Sequence, residues 1–323
     1  MKAIVIREFT DPSAIRPDDI DPPGPPGPGQ VRLDVAGVGI GYFDGLLIRG
    51  DYQIRPDLPF VPGSSLAGTV ESIGDGVSHL KPGDIVAAFA LHGAMAEQVV
   101  LPAASCAPLP EGIDLLAAAN FFIAWATSLY GLREIGQLEK GEKVLVLGAA
   151  GTTGTTAIQC ARAMGAQVIA CASSEEKRAH CLDQGAAHAI DYTAENWRDQ
   201  VKQVAGGGVD IVYDPVGGDL AEPALRLLNP GGRYLVVGFV AGIARIPLNL
   251  PLLKRCSIHG VNWGGSVMAN PSVVAPVIGT LAKWTLTGKI DASPTQVHDL
   301  ANAGKAFSAL FNRRSTGSIV VRP

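Results

Sequence analysis

The chain has 323 residues, of which 47% are hydrophobic and 17% are charged, and its formal net charge is −4. This length and composition predict about two domains in a soluble globular protein with a large core. The sequence has no basic block or stripe, so binding to nucleic acid is not expected. No apolar run in the sequence reaches the ~18 residues that a membrane-spanning helix needs.

The N-terminus and the cysteines indicate the compartment. The opening MKAIVIREF is too short and too soon charged for a signal peptide, so we interpret it as a first strand, with a short apolar run at Ile4–Ile6. The five cysteines are widely spaced and form no CxxC pair, which predicts reduced thiols in a cytoplasmic protein. Cys160 and Cys171 fall in a predicted helix and a predicted strand, where packing is the expected role.

Residues 1 to about 115 are predicted to be rich in strands. Short apolar or alternating runs occur at Val31–Val35 and in LAGTVESIG and IVAAFA, and the segments between them include DPPGPPGPGQ, PFVPGSS and KPGD. Proline-dense segments of this kind exclude a helix or a central strand. Short strands separated by glycine and proline turns favour a compact, partly open β-barrel.

The pattern changes at Leu115, where LLAAANFFIAWATSLYGL predicts one long apolar helix. From Glu142 strands and helices alternate, which predicts an α/β fold with a doubly wound parallel sheet. The strands are expected near 144–147, 167–171, 188–190, 209–213, 233–237 and 257–261, and the helices near 154–164, 175–184, 194–204 and 219–228. Helices near 272–287 and 300–312 and a final strand in GSIVV are expected to return to the first domain, because six strands already complete the sheet.

The segment from Lys143 to Gly154, KVLVLGAAGTTG, has the form of a dinucleotide-binding turn. An apolar strand leads into Gly148, Gly151 and Gly154, and a helix pattern follows. Such a turn brings the backbone close to a phosphate, and the helix N-terminus adds positive potential. We therefore predict that it holds the pyrophosphate of a dinucleotide, although a tight strand-to-helix turn without a ligand is the alternative.

Several motifs in order resemble a known family: PFVPG, AGTV, GDGV, KPGDIV, VLVLGAAGTTG, ASSEEKRAH, DPVGGD and RRSTG. The chain resembles the zinc-independent quinone oxidoreductases of the medium-chain dehydrogenase/reductase superfamily, the zeta-crystallin-like branch, over nearly its whole length. The resemblance implies a GroES-like catalytic domain in residues 1–118, a Rossmann domain for NADPH in 119–262, and a return of 263–323 to the catalytic domain. It also implies an active site in the cleft between the domains, hydride transfer to a quinone or an α,β-unsaturated carbonyl, and a homodimer.

The resemblance assigns the pyrophosphate contacts to Ala150, Gly151, Thr152, Thr153 and Gly154. Thr152 or Thr153 could add a hydroxyl bond to phosphate or could cap the helix. Further cofactor contacts implied by the resemblance are Thr127, Tyr192, Val216, Gly217, Gly238, Phe239, Val240, Arg313 and Arg314. Tyr192 would pack on the adenine side or would be an ordinary half-buried tyrosine. The two arginines would close over the cofactor or would form a solvated charge pair.

The end of the second strand of the sheet predicts which dinucleotide is bound. NAD-preferring sites place Asp or Glu there to bind the ribose 2′-OH. This chain has Ser173 and Ser174 instead, followed by Lys177. Two hydroxyls and a cation suit a 2′-phosphate, so we predict NADPH. A capping box formed by Ser173 with Glu176 is an alternative that is compatible with this role.

The sequence lacks the zinc ligands of the zinc-dependent relatives. Those relatives carry a cysteine in the region of Gly39–Asp44 and a His-Glu pair after the Pro-Gly turn, whereas this chain has no cysteine there and has Ser64 and Ser65 after Pro62-Gly63. The six histidines are scattered and have no metal-ligand spacing. We therefore expect no zinc.

The candidate substrate residues are Tyr52, as proton donor or substrate contact, and more weakly Tyr42, with Gly41, Asn262 and Trp263 in the pocket wall. Both tyrosines could instead be packing residues. Relatives usually have asparagine at the position of Gly41, an acidic residue at that of Ser65 and lysine at that of Ser318, so the acceptor stays open.

Three functions remain at this point. The first is an NADPH-dependent quinone reductase, the second is an enoyl or enone reductase, and the third is a non-catalytic NADPH-binding protein. The stretch ARIPLNLPLLKRCSIHGVNW includes the last strand of the parallel sheet, and an apolar edge strand there would pair with a second copy.

Overall fold

The structure, a computed structural model, describes residues 1–312 and 315–323. The chain divides into two compact units, residues 1–124 together with 269–323, and residues 125–268. The boundaries between the units therefore lie at residues 124 and 268, whereas the sequence analysis placed them at 118 and 262.

The helices and strands of the described residues are as follows. The strands are β1 Lys2–Ile4, β2 Pro17–Asp19, β3 Gln30–Ile40, β4 Ser65–Ile73, β5 Ile85–Phe89, β6 Gln98–Pro102, β7 Cys106–Pro108, β8 Lys143–Val146, β9 Gln167–Ala172, β10 His188–Asp191, β11 Val209–Asp214, β12 Leu228–Val236, β13 Ser257–Gly260, β14 Gln296–Asp299 and β15 Ile319–Arg322. The α-helices are α1 Tyr42–Arg49, α2 Leu115–Ala118, α3 Ala126–Tyr130, α4 Thr152–Ala163, α5 Glu175–Asp183, α6 Trp197–Ala205, α7 Ala221–Leu225, α8 Asn249–Lys254, α9 Trp263–Ala269, α10 Val274–Leu286 and α11 Ala303–Phe311.

The first unit is built on a mainly antiparallel sheet with the order β14-β15-β3-β4-β5-β7, and β6 also pairs with β3. Strand β3 is the centre of this sheet because it pairs with β4, β6 and β15, with register shifts that let one strand serve several partners. Leu33, Val38 and Leu66 are fully buried in its core. This is the predicted GroES-like fold, and the C-terminal strand β15 belongs to it.

The second unit, all of which the structure describes, holds a six-stranded sheet in the order β10-β9-β8-β11-β12-β13. Every neighbouring pair in it is parallel. This is the order of a doubly wound dinucleotide-binding sheet, so the predicted α/β class and the Rossmann fold are confirmed. The central strand β8 is apolar throughout Val144–Val146 because helices cover both of its faces.

Some predicted elements were wrong. The apolar segment after Leu115 is not one helix, because α2 ends at Ala118 and wider π-helical turns at Phe121–Trp125 and Gly131–Ile135 flank the short α3. Uniform apolarity carries no phase that would reveal such turns. The helix predicted over 219–228 ends earlier than expected: a 3₁₀ turn at Gly218–Leu220 leads into α7, which ends at Leu225, and β12 begins at Leu228.

Two further differences concern the first unit. The first strand lies at Lys2–Ile4, where it pairs with β2, and Ile6 makes only an isolated bridge with Phe60. Helix α1 was not predicted, although Gly41 and Gly50 bound it at its two ends.

Candidate functional site

The glycine turn between β8 and α4 is shaped by close backbone packing. Gly148 has a φ of +55°, and a Cβ there would lie 2.7 Å from Cγ2 of Val216. A Cβ on Gly154 would lie 2.5 Å from the carbonyl oxygen of Gly148 and 2.6 Å from Cα of Ala149. A side chain on Gly154 would collide with backbone atoms, and one on Gly148 would collide with the Val216 side chain at a left-handed φ, so the fold itself requires these two glycines.

Gly151 differs from the other two glycines of the turn. Its φ of −77° is ordinary, and the nearest atom that a Cβ would meet is the carbonyl oxygen of Gly148 at 3.5 Å, a normal contact. It is the N-cap of the twelve-residue helix α4 and makes no side-chain capping bond. Because packing does not demand glycine here, the open approach to the helix N-terminus suits an anionic ligand that comes close to the backbone.

The structure places the predicted residues Ala150–Gly154 in this turn and corrects one reading of them. Thr152 and Thr153 are the first residues inside α4, and Gly151 holds the capping position. The interpretation of a threonine as the N-cap was therefore wrong. A hydroxyl contact from either threonine to a phosphate stays a prediction.

Thr155 and Thr156, which the sequence analysis did not single out, are buried and reach neighbouring elements. Thr155 Oγ1 lies 3.0 Å from Nε2 of His180 on α5, and Thr156 Oγ1 lies 2.7 Å from Oγ of Ser128 on α3. Burial lowers the pKa of His180 and favours its neutral imidazole. Hydrogen bonds therefore connect the first two turns of α4 to α3 and to α5.

The turn after β9 lies at the same edge of the sheet, because β8 and β9 are parallel neighbours and the N–H of Ala149 donates to the carbonyl of Cys171 at 3.1 Å. Ser174 is the N-cap of α5, and its Oγ accepts the N–H of Lys177 at 3.3 Å. The predicted capping box of Ser173 with Glu176 was therefore wrong, because the cap is Ser174, one residue later. An accepting hydroxyl keeps its own proton, so Ser174 can still donate to another acceptor.

Tyr192 follows β10 and is half-buried against the apolar core of this unit. Beside it, the carboxylate of Asp191 accepts from Arg178 at 2.8 Å and from both the N–H and the hydroxyl of Thr193. The bonds from Thr193 hold the pKa of Asp191 below its ordinary value, with a smaller effect of Arg178. Arg178 thus anchors α5 to the end of β10.

The loop after β11 is held by a buried carboxylate. Asp214 is 2% exposed and accepts the N–H of Val216 at 2.7 Å, the N–H of Gly217 at 2.9 Å and the hydroxyl of Tyr234 at 2.5 Å. Burial, together with the negative charge of Asp214, raises the pKa of Tyr234, so its hydroxyl stays a donor. In the sequence, Asp214 stands out only as the first residue of the motif DPVGGD, and its hydrogen-bond partners are visible only in three dimensions.

This loop is joined to the loop after β12. The N–H of Gly218 donates to the carbonyl of Gly242 at 2.8 Å, and the N–H of Ala241 donates to that of Val216 at 2.9 Å. Phe239 and Val240 remain 54% and 39% exposed although they are apolar. The fold therefore brings together, beyond the carboxyl ends of two neighbouring strands, the predicted contacts Val216, Gly217, Gly238, Phe239 and Val240.

Other predicted residues of the second unit lie on its helices. Thr127 is half-buried on α3, directly before the buried Ser128. Trp263 is 5% exposed and packs on the ring of Tyr130, with 5.2 Å between the ring centroids. Asn262 is exposed, and its amide oxygen accepts the N–H of Gly265 at 2.9 Å at the start of α9. Both side chains therefore serve local packing and capping, and a role in a pocket wall stays a prediction.

In the first unit, a buried carboxyl is hydrogen-bonded to the backbone of Gly41, one of the predicted substrate residues. Asp44, on the first turn of α1, accepts the N–H of Gly41 at 2.8 Å on one oxygen and the hydroxyl of Ser64 at 2.7 Å on the other. The residue is 1% exposed, and burial raises the pKa of its carboxyl to about 6. The sequence analysis missed Asp44, because Ser64 is distant in the chain.

Ser64 and Ser65 stand where zinc-dependent relatives have a His-Glu pair. Both use their hydroxyls in hydrogen bonds within the fold. Ser64 donates to Asp44, and Ser65 donates its hydroxyl to the buried carbonyl of Ala119 at 2.7 Å. Among the described residues, no group of three or more His, Cys, Asp or Glu side chains is arranged to hold a metal ion.

The two candidate tyrosines are half-buried against aromatic rings. The ring of Tyr42 lies 4.7 Å from that of Phe311, and the ring of Tyr52 meets Phe43 edge-on at 4.7 Å. Within residues 1–312 and 315–323, neither hydroxyl makes a hydrogen bond with the protein. Their rings therefore pack while their hydroxyls stay available. The predicted Arg313 and Arg314 lie outside the described residues.

In the part of the chain that the structure describes, no helix combines the length and the apolarity that crossing a membrane requires.

Comparisons with known proteins cover both units. Residues 27–111 match the family described as alcohol dehydrogenase GroES-like domain, and residues 152–281 match that described as zinc-binding dehydrogenase. The quinone oxidoreductase-like protein 2 of Mus musculus is 36% identical over 302 residues, which cover 93% of this chain and 86% of the mouse protein. The quinone oxidoreductase of Rattus norvegicus is 33% identical over 326 residues, covering 96% and 98%. The crystal structure of Escherichia coli quinone oxidoreductase complexed with NADPH has a TM-score of 0.90 and 26% identity and covers 100% of both chains.

Proposed function

Since the chain belongs to the quinone oxidoreductase branch of the medium-chain dehydrogenase/reductase superfamily and is an oxidoreductase, we propose that it reduces a quinone with NADPH, without zinc. The observation that carries the proposal is the glycine turn of the second unit. Its Gly148 and Gly154 are required by packing, whereas Gly151 leaves the N-terminus of α4 open to an anion. The NADPH complex of the Escherichia coli relative supports this choice of ligand.

The preference for NADPH over NADH is supported by the turn after β9. This turn presents the Ser174 hydroxyl at the N-terminus of α5, next to Ser173, and no carboxylate ends the strand. A carboxylate at that place would repel a 2′-phosphate, whereas hydroxyls and the nearby Lys177 would bind it. Glu175 and Glu176 lie in the first turn of α5, and both side chains are exposed to solvent.

A zinc ion does not fit the residues at the zinc relatives' positions, although one matching family is described as zinc-binding. Hydroxyl groups are poor zinc ligands compared with thiolate, imidazole and carboxylate. Both Ser64 and Ser65 also donate their protons inside the fold. We therefore place no metal in the reaction.

The reduction needs one hydride and one proton for each quinone, and the bound nicotinamide supplies the hydride. The chain's own residues bind and orient: the glycine turn takes the pyrophosphate, and the loop held by Asp214 presents Val216 and Gly217. The exposed apolar Phe239 and Val240 would cover the nicotinamide end and exclude water. We assign delivery of the proton to the Tyr52 hydroxyl, whose ring is held by Phe43.

The test of the cofactor site uses three glycine variants and a fluorescence titration with NADPH. Gly151→Ala should fold normally but raise the NADPH Kd by about tenfold or more, because its Cβ would occupy the phosphate's approach. Gly279→Ala is the matched control, since a Cβ there meets nothing within 4 Å on the interior of α10, and its Kd should not change. Gly154→Ala should instead destabilise the protein. Unchanged NADPH affinity in a folded Gly151→Ala would refute the site.

The acceptor is tested by NADPH oxidation with a naphthoquinone and a simple enone side by side. Faster turnover of the quinone is the result we expect. Faster turnover of the enone would replace the proposal with an enone reductase. NADPH binding without oxidation by any acceptor would indicate a non-catalytic binding protein.

We also propose that two copies pair through the edge strand β13, which has only β12 as a neighbour in its sheet. The region around it exposes several large apolar side chains, Ile243 at 83%, Leu248 at 85%, Leu252 at 77%, Leu253 at 70% and Met268 at 78%. An unpaired strand edge beside such a surface favours a symmetric partner.

Sedimentation of an Ile258→Lys, Leu252→Lys double variant tests this pairing, and the expected result is a shift from dimer to monomer. Leu182→Lys, which changes a leucine 48% exposed on α5, is the matched control and should leave the dimer intact. A wild-type protein that sediments as a monomer would refute it.

A further inference from the structure

Three buried hydroxyls form one network in the second unit. Ser128 Oγ lies 2.7 Å from Thr156 Oγ1, 3.0 Å from the hydroxyl of Tyr213 and 3.2 Å from the carbonyl oxygen of Thr153. Thr156 Oγ1 also reaches the carbonyl of Thr153 at 3.0 Å. Ser128 and Tyr213 are 0% exposed, and Thr156 is 1% exposed. We refer to Ser128, Thr156 and Tyr213 as the hydroxyl network.

Every proton of the hydroxyl network has an acceptor. The carbonyl of Thr153 can only accept, so it takes a proton from Ser128 or from Thr156, and the other of these two hydroxyls can donate within the pair. Burial raises the pKa of Tyr213, so its hydroxyl stays protonated and donates to Ser128. The hydrogen bonds therefore join β11, α3 and the first turn of α4 in one network.

The network connects three elements that carry predicted cofactor contacts. Ser128 follows Thr127 on α3, a helix fixed between the π-helical turns Phe121–Trp125 and Gly131–Ile135. Thr153 lies in the α4 turn that takes the pyrophosphate, and Tyr213 precedes Asp214, which holds the loop after β11. Apolar side chains would fill this interior with no desolvation cost, so a network of hydroxyls is better suited to fixing geometry than to adding stability.

We propose that the hydroxyl network is a positioning device for the cofactor, which holds the first turn of α4 at one spacing from α3 and from the end of β11. The pyrophosphate contacts and the nicotinamide contacts would then meet a single cofactor without rearrangement. Ser128, Thr156 and Tyr213 touch no ligand in this role and act through Thr153 and its neighbours. The proposal rests on the NADPH site proposed above.

The test replaces one hydroxyl at constant shape. Thr156→Val should raise the NADPH Kd by about five- to tenfold, the effect of one lost hydrogen bond on positioning. It should also speed hydrogen exchange of the amides at 153–157 in the cofactor-free protein. Thr156→Ser restores the hydroxyl and should restore both values. Gln159→Leu is the matched control, because it removes a buried hydrogen bond to Gln184 from a later turn of the same helix, and its Kd should stay at the wild-type value.

A second measurement tests whether the hydroxyls act together. Tyr213→Phe added to Thr156→Val should raise the Kd by less than about twofold further, since the hydroxyl network is already broken. Independent effects that multiply would refute a single network.

The failures of the two proposals are distinguishable. A wild-type protein that binds no NADPH would refute the proposed function. Variants that lose thermal stability yet bind NADPH as tightly as wild type, with exchange at 153–157 unchanged, would overturn the positioning role alone. Because hydrogen exchange is measured in the cofactor-free protein, the protection of the amides in the first turn of α4 is read independently of enzymatic activity.

Discussion

The carboxyl of Asp44 makes the stability of the first unit depend on pH in an unusual direction. Burial raises its pKa from 3.8 to about 6, so its charged form is disfavoured in the folded state. An acid whose folded pKa lies above its unfolded pKa stabilises the protein fully below the unfolded value, and this contribution is lost as the pH rises through about 6. At neutral pH the ionised Asp44 therefore costs folding free energy.

The replacement Asp44→Asn removes this titration and keeps the shape. The amide oxygen can still accept the N–H of Gly41, and the amide NH₂ can donate to Ser64 when its hydroxyl turns. The difference between about 6 and 3.8, at about 1.4 kcal/mol for each pKa unit, corresponds to about 3 kcal/mol over the full range. About 2 kcal/mol of this falls between about pH 4.5 and about pH 8.

Urea denaturation followed by circular dichroism, at several pH values, measures the effect. The free energy of unfolding of Asp44→Asn minus that of wild type should rise by about 2 kcal/mol from about pH 4.5 to about pH 8, because all other titrations cancel in the difference. Ser64→Ala is a control for the sign: it removes a hydrogen bond that lowers the pKa, so its own loss should grow as the pH rises. A difference that is independent of pH would refute the reasoning.

Three more results are expected. Lys177→Ala should raise the Kd for NADPH by about tenfold and leave that for NADH within about twofold, measured by fluorescence titration, and equal losses for both would exclude a 2′-phosphate contact. Tyr52→Phe should lower kcat for a quinone by about 10² or more with the fold intact, and unchanged turnover would exclude it as proton donor. Tyr234→Phe should lower the free energy of unfolding by about 2 kcal/mol in urea denaturation, because the buried Asp214 loses a donor at 2.5 Å. A loss below about 0.5 kcal/mol would show that this bond is not important.

The second unit was the more predictable part of the fold. Its central strands are buried and apolar, as strands covered on both faces are, so short apolar runs such as Val144–Leu147 stand out in the sequence. Glycines that the backbone requires also stand out in the sequence: Gly148 has a positive φ, and Gly154 lies close to other backbone atoms. Alternation of strand and helix then indicates the parallel order.

Local patterns failed for two helical segments. Ser174 rather than Ser173 caps α5, and its side chain accepts the N–H of Lys177. The segment after Leu115 has apolar residues on every face, so no periodicity in the sequence reveals the two π-helical turns that interrupt it.

The glycine turn, the alternation of strands and helices and the two serines after the second strand could be read from the sequence alone, because each depends on residues within a few positions of one another. The carboxyl of Asp44 beside Ser64, 20 positions away, and the bond between Ser128 and Tyr213, 85 positions apart, were decided only by the tertiary structure. A buried polar group is tolerated only where the fold supplies its partner, and the sequence does not show which partner that is.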